Sequence, residues 1–200
     1  PESKKVIYVS KKKYGTQYAI STNTDIYEYD IETGKTRNMT EANLGYDLSP
    51  QLSSTGRLAW LQMKRDGYES DKNDIIIFID SMPVNLTEKW DGTVGEFKWS
   101  NDGKMIHFAA AVNGTVQLFE VALPKSASTI PAPRQITSGQ FDIRGIIGHE
   151  KNSMVVMRGD MNHATELYNV DLKTGEMRQL TQANTEFYDN ITLSKVEKRM

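Results

Sequence analysis

The chain has 200 residues, 38% of them hydrophobic and 25% charged, which is the ordinary composition of a globular protein. Its 24 basic and 26 acidic residues leave a formal net charge of -2 at pH 7, so we expect neither a nucleic-acid partner nor a membrane partner on electrostatic grounds. No run approaches the roughly 18 apolar residues that a membrane-spanning helix needs, and the lack of cysteine excludes disulfides and thiolate metal sites.

The first predicted element is a strand. The run KKVIYVS (4–10) is rich in β-branched and aromatic residues, which favour strands. In the repeated pattern that follows, it corresponds to the second strand of a unit, so the first unit lacks its own first strand. Because the chain starts with Pro1 and not with Met, we expect it to be part of a longer protein.

One phrase then recurs along the chain. Each copy is a pair of strand-like runs that closes on a threonine, and the intervals between these threonines are 44 to 50 residues. This period is typical of the four-stranded blade of a β-propeller, which has about 40 to 50 residues. The predicted blades span about 1–40, 46–87, 91–137 and 142–181, and they close on Thr40, Thr87, Thr137 and Thr181.

The third unit shows the plan of a blade most plainly, with strand A at 96–100, strand B at 104–111, strand C at 116–123 and strand D at 134–137. Turns such as Asn101-Asp102-Gly103 separate the strands, because glycine adopts the positive φ that a tight hairpin needs. No window sustains a helical period. We predict an all-β fold, a β-propeller fragment of about four blades with four antiparallel strands each. A β-sandwich is the alternative, although it would not keep a four-strand period.

The end of the chain decides whether the propeller closes. We interpret 1–190 as a partial propeller and 191–200 as the start of the next strand or the passage to a missing domain. If 191–197 supply the absent strand of the first unit, the four blades form a closed ring. Otherwise the fragment belongs to a larger ring, and its open edges expose unpaired strand groups, so two copies could dimerise edge to edge.

An aromatic residue followed by aspartate recurs between strand D of one unit and strand A of the next. As a functional feature, these aspartates would form a ring of carboxylates near a channel mouth. As a structural feature, each aspartate accepts hydrogen bonds from nearby backbone while the aromatic ring packs between blades. The repetition with the architecture favours the structural interpretation. The pairs are Tyr46-Asp47, Trp90-Asp91, Phe141-Asp142 and Tyr188-Asp189.

The three histidines lack the spacing of a catalytic or a metal site. We predict His107 within a strand B, His149 in a turn between strands A and B, and His163 in a loop between strands B and C. All three are interpreted as structural. We predict no catalytic residue, no metal site and no cofactor for this chain.

Several stretches resemble the propeller domain of bacterial dipeptidyl and acylaminoacyl peptidases in the prolyl oligopeptidase family. They include SKKVIYVSKKKYG (3–15), WDGTVGEFKWSNDGKMIHFAA (90–110) and LYNVDLKTGEMRQLT (167–181), with GYESDKND (67–74) and LSKVEKR (193–199) as the more particular ones. The resemblance covers nearly the whole chain. It implies a parent serine peptidase whose hydrolase domain carries a Ser, Asp, His triad, while the propeller caps the active site and restricts or positions peptide substrates. It also implies an exported, periplasmic protein.

The expected partners follow from this resemblance. No GxSxG motif of a nucleophile elbow occurs in the 200 residues, so we expect no catalysis by this chain alone. The partners would be the hydrolase domain of the same parent chain and a peptide substrate. The alternative is a non-enzymatic periplasmic propeller, similar to the Tol-system type, that binds a protein or peptide partner.

Two long loops between strands B and C, 11–24 and 63–73, are the predicted places for binding residues, because long loops on a rigid scaffold often carry function. In related dipeptidyl peptidases, propeller carboxylates hold the free amino terminus of the substrate, a task that suits Glu or Asp. The resemblance points to Glu69 for this role. The chain has no Glu-Glu pair, which departs from the family pattern, and a solvated loop or a contact with the hydrolase domain is the alternative. The candidate substrate-binding cluster is Glu69 with Arg65, Tyr68 and Asp71.

Overall fold

A computed structural model describes residues 4–197 of the chain. These residues form fifteen strands and two helices of a single turn. Consecutive strands pair antiparallel in four sheets, which we call blades 1 to 4 in chain order; blade 1 has three strands and each of the others has four. The all-β prediction and the meander of each blade are therefore confirmed. Within 4–197 no helix has the length and apolar character that crossing a membrane requires.

The bounds of the elements are as follows. Blade 1 contains β1 (Lys5–Ser10), β2 (Asp25–Asp30) and β3 (Thr36–Asn38), with helix α1 (Thr16–Ile20) between the first two strands. Blade 2 contains β4 (Asp47–Leu52), β5 (Leu58–Gln62), β6 (Asp74–Ile79) and β7 (Met82–Asn85). Blade 3 contains β8 (Val94–Trp99), β9 (Met105–Val112), β10 (Thr115–Ala122) and β11 (Arg134–Gln135). Blade 4 contains β12 (Asp142–Glu150), β13 (Ser153–Gly159), β14 (Glu166–Asp171) and β15 (Met177–Gln179), and helix α2 (Thr185–Asp189) follows.

The observed strands differ from the predicted ones mainly at their ends. In blade 3, strands A to C agree with the prediction to within two residues, whereas strand D is reduced to the two residues of β11. The helices α1 and α2 were not marked by any helical period, because five residues make little more than one turn. Residues 191–197 contain no strand, and the rest of that predicted segment lies outside the described residues. The passage to a further domain stays a prediction.

Tight turns keep the strands of a blade adjacent. Gly103, between β8 and β9, has a φ of 65°, as the hairpin prediction required. Asp80 and Ser81 join β6 directly to β7 with φ values of 49° and 65°, although neither residue is glycine. Positive φ at both positions is the geometry of the two-residue hairpin whose twist matches that of the strands.

The described chain divides into two compact units. Unit one holds the residues up to Val94 together with 124–132, and it includes blades 1 and 2. Unit two holds 95–123 and the residues from 133 onward, and it includes nearly all of blade 3 with blade 4.

Each unit has its own apolar core. In unit one, Ile26 of blade 1 packs with Leu58, Trp60 and Ile76 of blade 2, and the rings of Trp60 and Phe78 lie 4.8 Å apart. The core of unit two is larger and draws on both of its blades. Its buried residues are Ala109, Leu118, Ile136, Phe141, Ile143, Ile146, Met154, Val156, Val170 and Leu172.

The recurring threonine joins strand D to strand C of its own blade. Its Oγ1 accepts a hydrogen bond from a backbone N–H near the start of strand C in every blade. The donors are Ile26 to Thr40 at 3.0 Å, Ile75 to Thr87 at 3.1 Å, Leu118 to Thr137 at 2.9 Å and Leu167 to Thr181 at 2.9 Å. In blades 2 to 4 the hydroxyl also donates to the side chain just before that residue, namely Asp74, Gln117 or Glu166. We call this arrangement the threonine clamp, and it explains why the phrase ends on threonine.

Candidate functional site

The two long loops of unit one are bound to each other through Asp66. Asp66 Oδ1 accepts hydrogen bonds from the backbone N–H of Thr22 at 2.7 Å and from Ser21 Oγ at 2.8 Å. The backbone N–H of Gly67 donates to Thr22 Oγ1 at 2.9 Å. The hydrogen bond from Ser21, followed by those from the backbone, lowers the pKa of the Asp66 carboxyl group. The loop 63–73 is therefore attached to the end of the loop 11–24.

The sequence did not single out Asp66. Its partners lie 43 to 45 residues earlier in the chain, and no local pattern indicates such a contact. The only signal is the Asp-Gly dipeptide that it forms with Gly67, which is typical of a turn. Asp66 is a residue that positions the predicted cluster.

Three of the four predicted site residues contact one another. The guanidinium group of Arg65 donates to Asp71 from both Nε, at 3.2 Å, and Nη2, at 3.0 Å, and the backbone N–H of Arg65 donates at 3.1 Å. These contacts, led by the side-chain hydrogen bond from Arg65, lower the pKa of Asp71 to about 2. The guanidinium carbon also lies 4.2 Å from the ring centre of Tyr68. Arg65, Tyr68 and Asp71 thus make a self-contained group that shapes the loop.

The fourth residue, Glu69, is the one left available. It is exposed, and the structure gives its carboxylate no hydrogen bond or ion pair with any described residue. Glu69 lines an open concavity of about 480 Å³ together with Asp71, Lys72, Asp91 and Thr93. The ammonium group of Lys72 is held elsewhere, 2.8 Å from Asp74 Oδ1 and 2.6 Å from the carbonyl oxygen of Thr87. The concavity is therefore acidic, which favours a cationic ligand.

The aspartates of the aromatic-Asp pairs differ in burial and in hydrogen bonding. Asp47 is fully buried and accepts hydrogen bonds from Trp60 Nε1 at 2.8 Å and Gln62 Nε2 at 2.9 Å; burial raises its pKa. Asp142 Oδ1 accepts from the backbone N–H of Val116 at 2.8 Å. Both fit the structural interpretation. Asp91, in contrast, is exposed and lines the concavity of Glu69.

The histidines occupy two separate places in unit two. His107 lies in β9, as predicted, but His149 lies within β12 and not in a turn. The reason is that two register irregularities allow β12 to continue to Glu150. His163 is in the predicted loop, with its Nδ1 2.9 Å from Asp160 Oδ1. Residues 4–197 contain no group of three or more His, Cys, Asp or Glu side chains placed to hold a metal ion.

Comparison with known proteins gives relatives along the whole chain, although no family model matches it. The chain is 33% identical to dipeptidyl-peptidase 5 of Porphyromonas gingivalis and 38% identical to dipeptidyl-peptidase 5 of Porphyromonas endodontalis, in both cases over 100% of its length. It covers only 29% and 28% of these relatives, which is less than a third of their length.

Solved structures share the fold. Acylaminoacyl peptidase from Pyrococcus horikoshii matches with a TM-score of 0.62 and 22% identity, over 86% of this chain and 24% of that one. TolB from Acinetobacter baumannii matches with a TM-score of 0.54 and 16% identity, over 89% of this chain and 41% of that one. Because both identities are low, these two likenesses speak for the fold alone.

The four-strand meanders and the structural matches define the chain as a segment of a β-propeller. More particularly, it is homologous over its full length to one segment of the proteins named dipeptidyl-peptidase 5. The predicted resemblance to dipeptidyl peptidases is confirmed by these relatives, and the predicted propeller fold is confirmed by the solved structures.

Proposed function

We propose that the chain is the propeller part of a serine exopeptidase, in which it caps the active site of a hydrolase domain and positions peptide substrates. The observation that carries this proposal is the full-length homology to the dipeptidyl-peptidase 5 proteins. Most of each relative lies outside the matched segment, which leaves room for a hydrolase domain. Since the chain has no GxSxG motif, the covalent chemistry is assigned to that domain and not to the propeller.

Within this role, Glu69 is proposed to bind the free amino terminus of the substrate. Its carboxylate is unpaired among the described residues, and the cationic side chain of the lining, Lys72, is held by Asp74. An ammonium group would therefore be the first cation available to Glu69, and charge-assisted hydrogen bonds of this type are strong. The contacts of Asp66 and Asp71 keep the loop in one conformation, which lowers the entropy lost when a ligand binds.

The test is steady-state kinetics of the full-length enzyme with Glu69→Gln. We expect kcat/KM for a dipeptide substrate with a free amino terminus to fall about tenfold or more, because a hydrogen bond to a charged group is lost. For the same substrate with an acetylated amino terminus, kcat/KM of the variant should differ little from that of the wild type. Glu32→Gln is the matched control. Glu32 is an exposed glutamate in the turn that follows strand C of blade 1, whereas Glu69 lies in the loop that precedes strand C of blade 2.

Two outcomes would contradict the role of Glu69. One is an equal loss on the free and the acetylated substrate, which would indicate a general effect on folding or domain contact. The other is unchanged kinetics on both substrates, which would leave the exposed loop as a solvated surface.

A second candidate function is that of a non-enzymatic propeller that binds a protein or peptide. The observation that favours it is the likeness in fold to TolB. This function requires that the parent protein has no hydrolase domain. The coding sequence of the parent protein tests this requirement. For either function we propose an exported, periplasmic protein, and fractionation of cells that express the parent protein tests this location.

A further inference from the structure

A second cavity lies within unit two, between blades 3 and 4, and the proposed peptidase role does not use it. Its volume is about 600 Å³. Strands β9, β10 and β11 form its wall on blade 3, while the end of β12 and two turns form its wall on blade 4. The lining residues that matter here are His107, Glu120, Arg134, His149, Lys151 and Lys173.

Two imidazole rings from different blades stack in this cavity. The ring centres of His107 and His149 lie 5.2 Å apart, with planes inclined by 27°. His107 is only 2% exposed. The Nδ1 atoms of both rings are buried and have no hydrogen-bond partner among the described residues. Buried polar atoms are nearly always paired with protein, water or a ligand, and residues 4–197 supply no partner for these two nitrogens.

The carboxylates of the cavity are already paired. Glu120 Oε1 lies 2.8 Å from Arg134 Nε, and Glu120 Oε2 lies 3.5 Å from His107 Nε2. Asp102, at the rim, accepts from Ser100 Oγ at 2.7 Å and lies 3.6 Å from Lys104 Nζ. In contrast, the described residues provide no ion pair for the ammonium groups of Lys151 and Lys173, the two lysines of the lining. The uncompensated charge around the cavity is therefore positive.

We propose that this cavity binds a small oxyanion of phosphate size. Lys151 and Lys173 would neutralise its charge, and its oxygen atoms would lie next to the stacked rings of His107 and His149. A metal cation fits less well, because Glu120 is already paired with Arg134 and, in the part of the chain that the structure describes, no third free ligand accompanies the histidines.

The probe is inorganic phosphate, and the readout is the NMR signal of the imidazole Cε1–H groups. The chain has three histidines, so each ring reports separately. We expect the signals of His107 and His149 to shift in a saturable manner as phosphate is added at constant pH and constant ionic strength. His163, which is paired with Asp160, is the internal control and should not shift.

Substitution of the two lysines tests the site without disturbing the buried rings. Lys151→Gln combined with Lys173→Gln should weaken phosphate binding about fivefold or more, as expected for the loss of two exposed charge pairs. Lys98→Gln combined with Lys195→Gln changes the net charge equally, outside the lining, and should leave the affinity within about twofold. The proposal is overturned if His107 and His149 do not shift, if His163 shifts with them, or if both double variants lose affinity equally.

Discussion

Replacing Thr137 with valine tests the threonine clamp that repeats through the blades. Thr137 is 2% exposed; its Oγ1 accepts from the backbone N–H of Leu118 at 2.9 Å, and its hydroxyl donates to Gln117 Oε1 at 2.8 Å. Valine has nearly the shape of threonine but no hydroxyl group. The substitution therefore leaves a buried backbone N–H and a buried amide oxygen without partners.

The size of the effect follows from these two groups. A buried polar group that loses its partner costs about 1–3 kcal/mol. We expect the Thr137→Val variant to lose about 2–4 kcal/mol in free energy of unfolding, allowing for some relaxation of Gln117. Thr137→Ser keeps the hydroxyl and removes one methyl group, so its loss should be about 1 kcal/mol. Thr181→Val removes the equivalent clamp of blade 4. Because Thr181 is only half-buried, the loss in free energy of unfolding should be smaller for Thr181→Val than for Thr137→Val.

Urea unfolding followed by circular dichroism measures these differences, with the free energy taken from the midpoint and the slope. Hydrogen exchange of the Leu118 amide locates the effect, because this amide should lose protection in Thr137→Val and keep it in Thr137→Ser. A valine variant within about 0.5 kcal/mol of the wild type would refute the view that the clamp stabilises blade 3.

Three further predictions concern the loops, pH and association. Asp66→Ala should speed hydrogen exchange at the amides of Thr22 and Asn23, which donate to Asp66, while amides in β5 keep their protection; unchanged exchange at Thr22 would contradict the proposed attachment of the loops. Burial lowers the pKa of His107 from 6.5 to about 4, so the unfolded chain is protonated at higher pH than the folded chain. Stability should therefore decrease as the pH falls from 6.5 to 4, by at most about 3 kcal/mol, and His107→Gln should flatten that part of the profile measured by urea unfolding. Strand β1 pairs only with β2 among the described residues, so light scattering should show reversible dimers at high concentration, and a monomer at every concentration would rule out edge pairing.

Much of the fold could be predicted because its determinants are local. Alternating β-branched and aromatic runs define the strands, and a few turn residues, such as those ending at Gly103, set each hairpin. The recurring threonines indicate the period of the blades from the sequence alone. The clamp itself could not be predicted from one sequence, because it depends on which backbone N–H lies opposite the threonine after strands C and D have paired.

The candidate site was only partly predictable, because its decisive contacts join distant residues. The loop of Glu69 could be selected by its length and by resemblance. Neither the attachment of Asp66 to Ser21 nor the stacking of His107 on His149 has a local signature, since each contact links residues more than 40 positions apart. The aromatic-Asp pairs also look equivalent in the sequence, whereas in the structure Asp47 is buried and Asp91 is exposed.

The most direct test of the central claim is to read the parent coding sequence beyond Met200 for about 300 codons, the scale of an added hydrolase domain. We predict a GxSxG motif followed in order by an aspartate and a histidine, as in the α/β-hydrolase arrangement. A stop codon, or further propeller blades without such a motif, would contradict the assignment of this chain to a serine peptidase.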